Sequence, residues 1–120
     1  VEYSRSLSTV FKLQAAMASH FKQYDLLLTP TMPVSAFSIG KNPEIIDGFN
    51  VDPFWGYLPF TYPFNMTGQP AATVPCGFTT TGLPIGLQII GRPGDESTVL
   101  RASDAFEKSA PWSTIRPEII

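Results

Sequence analysis

The sequence predicts an α/β fold, and three observations predict it. Both ends carry apolar residues at helical spacing, a short apolar run directly follows the first helix, and the middle alternates with the two-residue period of strands. At 120 residues the chain falls in the range of one domain.

The first element is an amphipathic helix. In "SLSTVFKLQAAMASHFKQYD", Val10, Leu13, Met17, Phe21 and Tyr24 recur at three and four, while Lys12, Gln14, Ser19, Lys22 and Gln23 take the other faces. "DLLLTPTMP" follows, an apolar run closed by two prolines, which predicts a short buried strand from Leu26 to Thr29. Residues 33 to 58 hold turn signals at Gly40, Asn42-Pro43, Asp47-Gly48 and Asp52-Pro53 with little periodicity, and so predict a long loop with one short turn of helix. Phe49, Phe54, Trp55 and Tyr57 argue that this loop is ordered.

"FNMTGQPAATVPCGF" reads as a strand entered through a turn. Ala72, Val74, Cys76 and Phe78 alternate with Thr73, Pro75 and Gly77, and Ile85, Leu87 and Ile89 alternate with Gly86, Gln88 and Ile90. Thr79-Thr80-Thr81-Gly82 between them predicts an antiparallel β-hairpin with Gly82 at positive φ. Pro75 has no N–H for a ladder, so it belongs on the outer side of its strand or at a bulge. The last element is a C-terminal helix capped by Asp95, with Glu96 in its first turn. Val99, Leu100, Ser103, Phe106 and Ala110 form its stripe, Asp104 and Lys108 an i,i+4 pair, and Pro111 its stop. Residues 111 to 120 read as an irregular tail.

Between Asp52 and Arg92 there is no Asp, Glu, Lys, Arg or His. Six prolines interrupt this stretch, so it offers no membrane span, and its neutrality predicts burial on most sides by covering layers. Only 15% of the residues are charged, against about a quarter in ordinary soluble domains, which points to a partner surface. The net charge of -2 gives no footprint for nucleic acid. Cys76 is the single cysteine and can form no internal disulfide, which fits a reducing, cytoplasmic setting; "VEYSRSLSTV" lacks the apolar run of a secretory signal.

Few groups here can carry chemistry. Cys76 and His20 are one nucleophile and one base far apart in sequence, and a small buried Cys with a boundary His explains both. One Cys and one His make no metal cluster, and no glycine-rich pattern cradles a phosphate. No metal and no cofactor is expected. Asn65-Met66-Thr67 matches a glycosylation triplet but lies in the segment expected to be buried.

"YDLLLTPTMP", "FTYPFNMTGQPAATVPCGF", "GLPIGLQIIGRPGDE" and "VLRASDAFE", in this order and at these separations, resemble the C-terminal third of the amidase signature family, from about Arg5 to Pro117. The resemblance implies an α/β/α fold with a large mixed sheet, of which residues 1–120 would be the C-terminal part. It also implies amide hydrolysis by two Ser and a neutral Lys, with backbone amides holding the oxyanion. That apparatus has no match here, because the chain lacks a Gly-Gly-Ser-Ser stretch and Lys12, Lys22, Lys41 and Lys108 lie outside the matching region. No catalytic residue is assigned. Asn65, Gly68 and Pro70 then read as shaping the turn into the strand, with the Asn amide tying backbone groups, and Gly77 and Gly86 as points of close packing.

In members that serve as glutaminase subunits of tRNA-dependent amidotransferases, the resemblance implies a carboxylate shortly before this Asn to hold the glutamine amino group. Leu58 occupies that position, and an apolar residue cannot pair an ammonium. Phe54, Trp55 and Leu58 are therefore the candidate substrate-binding wall for an apolar or aromatic amide, although plain packing also fits each. The expected partners are that small-molecule amide, the remaining part of the domain and a second copy of the chain. The competing readings are a non-catalytic interaction module and a glutaminase subunit.

Overall fold

The computed structural model describes residues 2–116. Helix α1 (Glu2–His20) leads through a turn into strand β1 (Leu26–Pro30); a small hairpin, β2 (Ile45–Ile46) with β3 (Phe49–Asn50), follows. Helix α2 (Tyr62–Thr67), strands β4 (Ala71–Phe78) and β5 (Pro84–Gly91), and helix α3 (Glu96–Ser109) complete the order. The main sheet is antiparallel in the order β1-β5-β4, so the second strand of the predicted hairpin is its centre.

Pleating makes the sheet two-faced. Ile89 and Ile90 are adjacent and 2% and 0% exposed, yet they enter different clusters. Ile90 packs with Phe21 and Phe64, joined by Met17 and Leu27, which puts the end of α1 and α2 on one face. Ile89 packs with Val74 and Val99, joined by Phe106 and Trp112, which puts α3 on the other. Burying each isoleucine contributes about 1.5–3 kcal/mol. Close approach is required at two points: a Cβ on Gly91 would lie 2.6 Å from Val99 Cγ2, and one on Gly86 2.7 Å from Thr31 Oγ1.

The local expectations at the ends hold. Asp95 accepts from the Thr98 N–H at 3.3 Å, Lys108 meets Asp104 at 2.6 Å, and α3 ends before Pro111. Gly82 takes φ +82°. Pro75 lies on β4, an outer strand, at a bulge that shifts the register between Pro75 and Gly77. The tail is irregular through residue 116; the last four residues, with Pro117 at the end of the resemblance, lie outside the described ones.

Several expectations are corrected. The loop of residues 33–58 is not structureless: Asp47 and Gly48, at φ +50° and +79°, turn the two-residue strands β2 and β3 on each other. Tyr62–Thr67 is a helix and not a simple turn, opened by Pro63 in its first turn and closed by Gly68 at φ +77°, whose N–H donates to the Phe64 carbonyl at 2.9 Å. Asn65 is exposed on that helix, so burial does not argue against its triplet. Gly77 meets nothing within 4 Å of an added Cβ, so the bulge backbone and not packing accounts for it. Cys76, the extra residue of the bulge, is exposed.

Strand β1 is half-buried because it is an edge, with Leu28 56% exposed. Tyr24 and Leu100 also face outward, Tyr24 because the helix has ended before it and Leu100 because Ala102 turns inward in its place. The neutral stretch is only partly covered: Phe54, Trp55, Tyr62, Met66, Phe78 and Ile85 are exposed beside buried Phe64 and Val74. The radius of gyration is 16.6 Å, against about 14 Å for a compact domain of this length, with extents of 53 × 36 × 20 Å. The chain is a slab. Among the described residues no helix is long and apolar enough to cross a membrane.

Candidate functional site

The aromatic loop is fixed to the sheet by one side chain. Thr29, Gln88 and Thr73 stand in register across β1, β5 and β4. Gln88, 5% exposed, donates to Thr29 Oγ1 at 2.9 Å and to the Phe60 carbonyl at 2.6 Å. Thr73 meets Thr31 hydroxyl to hydroxyl next to this row. A buried amide with both bonds made is worth keeping, since leaving the Phe60 carbonyl unpaired would cost its desolvation. The loop before Phe60 is thereby held over one face of the sheet.

That loop is built by local bonds. Asp52 Oδ1 accepts from the N–H groups of Phe54 at 2.8 Å and Trp55 at 2.9 Å, which turns the chain. The Leu58 carbonyl accepts from the Thr61 N–H and hydroxyl and from the Tyr62 N–H, starting α2. Trp55 faces a shallow hollow of about 410 Å³ shared with Tyr62, Asn65 and Met66. Phe54, 71% exposed, and half-buried Leu58 do not line it. Of the three predicted wall residues, the structure brings Trp55 alone to Asn65. Tyr62 and Met66, which the sequence pattern does not single out, enter the wall because Tyr62–Thr67 is helical.

Among the described residues neither reactive side chain meets a catalytic partner. Cys76 Sγ lies 3.5 Å from the Ile85 carbonyl on the bulge. His20 stacks on Tyr24 at 4.8 Å and meets Phe21 edge-on, with Nε2 buried and unbonded. No nucleophile–base pair forms between them. Among the described residues no group of three or more His, Cys, Asp or Glu could hold a metal. Arg92 closes the end of α1 by donating to the Phe21 carbonyl at 3.0 Å, the Tyr24 carbonyl at 3.3 Å and Asp25 at 2.8 Å. The Asp95 carboxyl is held below its ordinary pKa: the Thr98 side chain lowers it most, and Ser97, the Thr98 N–H and the Arg101 charge add to this against desolvation.

Known proteins match this chain throughout. The sequence model described as Amidase matches residues 3–100. A glutamyl-tRNA(Gln) amidotransferase subunit of Brevibacillus brevis is 48% identical over 102 residues, which cover 83% of this chain and 19% of the relative. The same subunit of Methanosarcina mazei is 53% identical over 95 residues, covering 78% of this chain and 18% of the relative. A bacterial aryl acylamidase of the amidase signature family superposes with a TM-score of 0.82 at 36% identity, covering 95% of this chain and 25% of that structure. The corresponding glutamyl-tRNA(Gln) amidotransferase subunit of Thermotoga maritima gives 0.75 at 38% identity, covering 92% and 23%. The chain thus spans a quarter or less of the length of the proteins it matches.

Proposed function

This chain belongs to the amidase signature family, and on that premise we propose that it is the C-terminal part of a domain that cleaves carboxylic amides to acid and ammonia or amine. In this reading it supplies sheet, Thr–Gln row and substrate wall, and the two Ser and the Lys lie on the remaining part of the domain. The chain alone is inactive. One observation carries the division of labour: a slab 20 Å thick leaves Phe11, Phe54 and Trp55, and Leu100 on the helix of the opposite face, between 62% and 71% exposed, apolar positions on both sides suited to further layers.

The substrate of the whole domain is a neutral apolar or aromatic amide. Leu58 stands where an ammonium-binding carboxylate is expected, and an apolar side chain cannot pair an ammonium. The likeness to an aryl acylamidase supports the same choice. The second reading, a glutaminase that works with partner subunits, is favoured by the 48% identity to the Brevibacillus brevis protein. Assaying the polypeptide that carries the whole domain against acetanilide and L-glutamine separates the two. Turnover of acetanilide is expected. Release of ammonia from glutamine that rises with added partner subunits would replace this reading with the second.

A further inference from the structure

The segment after α3 forms a groove with the turn end of the β4–β5 hairpin. Trp112 packs on the cluster of Val74, Ile89 and Val99, and the Ile115 N–H donates to the Trp112 carbonyl at 2.9 Å, a turn that keeps Ile115 and Arg116 beside the hairpin. The groove holds about 530 Å³, the size of a small-molecule site. Pro75, Phe78 and Pro84 form the hairpin wall, Trp112 and Ile115 the other, and Arg116 is the one ionisable residue of the lining. We infer that this groove binds an aromatic monocarboxylate, its ring on the apolar walls and its carboxylate on Arg116. The site stands apart from the amidase reading, because Gln88 holds the Trp55 loop over the face of Ile90, whereas Trp112 packs on the face of α3.

Charge and shape select that class together. Trp112, Phe78 and two proline rings offer flat apolar surfaces, which suit a planar ring. The Arg116 guanidinium presents a planar fork of donors that a carboxylate accepts two at a time. Among the described residues Arg116 enters no ion pair, the two pairs being Arg92 with Asp25 and Lys108 with Asp104. No Asp or Glu lies in the lining, so nothing there competes for the guanidinium or repels an anion. One positive charge balances one carboxylate. A phosphate brings a second charge without a second partner and no ring to fill the walls, an organic cation meets a like charge, and an uncharged ring gains the walls alone.

The test compares one ring carrying different charges. The isotope-labelled chain is titrated with 2-naphthoate, with 2-naphthalenemethanol and with inorganic phosphate, following the indole N–H resonances of its two tryptophans. Naphthoate is expected to shift Trp112 saturably and to leave Trp55 unmoved, to bind about 3- to 10-fold more tightly than the alcohol, and to lose that advantage as salt is raised. Phosphate alone should move neither resonance. Arg116→Gln, at an exposed position, should bring naphthoate down to the affinity of the alcohol and leave the alcohol unchanged, whereas Phe78→Ala, at a residue 43% exposed, should weaken both. The Trp112 response should persist in the polypeptide that carries the whole domain. Equal binding of acid and alcohol, a Trp112 shift with phosphate alone, naphthoate affinity untouched by Arg116→Gln, or loss of the response in the longer polypeptide overturns the inference.

Discussion

Gln88 Nε2 donates to the Phe60 carbonyl at 2.6 Å, so a side chain of the central strand holds the loop that carries Trp55. Replacing it by leucine keeps the volume but strands that carbonyl and frees Thr29 Oγ1. Gln88→Leu should lower stability by about 1–3 kcal/mol, read from the urea midpoint. Hydrogen exchange at residues 60–62 should quicken more than in α3. An unchanged midpoint would remove Gln88 from this role.

The two faces of the sheet make a second prediction. Ile90→Ala opens a cavity at a fully buried site and should cost about 2–5 kcal/mol, whereas Leu28→Ala, at a 56% exposed edge position, should stay within about 0.5 kcal/mol. Thermal unfolding of both variants beside the parent chain measures the difference. Comparable losses would mean that β1 is covered in solution, contrary to its place at the edge.

Acid should loosen the start of α3. Folding holds the Asp95 carboxyl below its ordinary pKa, chiefly through the Thr98 side chain with the Thr98 N–H adding to it, so its contribution is present above the unfolded value and is lost as pH falls through the folded one. Helicity followed by circular dichroism from neutral pH downward should show this step, and Asp95→Asn should lack it while keeping most of the cap at neutral pH. An identical acid profile in the variant contradicts the assignment.

How much of this was legible follows from how local each signal is. α3 was legible because Asp95, the Val99–Phe106 stripe and Pro111 are all read within one turn of where they act. The β4–β5 pair was legible from alternation and the Thr79–Gly82 turn, and its antiparallel register follows. Helix α2 has six residues and β2 and β3 two each, too few to show a period, although Asp47-Gly48 marked their turn. Cys76 was misplaced because a bulge breaks alternation without changing the sequence pattern. Trp55 meeting Asn65 depends on α2, so that half of the wall was hidden with it. Gln88 did leave a trace, as one polar residue inside "PIGLQIIG".

The exposed edge predicts association of the chain with itself. Leu28 faces outward on β1, whose outer backbone groups have no strand beside them among the described residues. Sedimentation velocity should show mass rising with concentration, and Leu28→Lys should return the chain towards monomer. A single monomer at every concentration counts against this edge as a pairing surface.

If this chain shapes an amidase domain without holding its reactive groups, it should be inert when isolated. The most direct measurement is acetanilide turnover by the purified 120-residue chain against a blank preparation. The prediction is no turnover above the blank, since His20 and Cys76 meet no catalytic partner among the described residues. Turnover by the chain alone that disappears in Cys76→Ala or His20→Ala would contradict it.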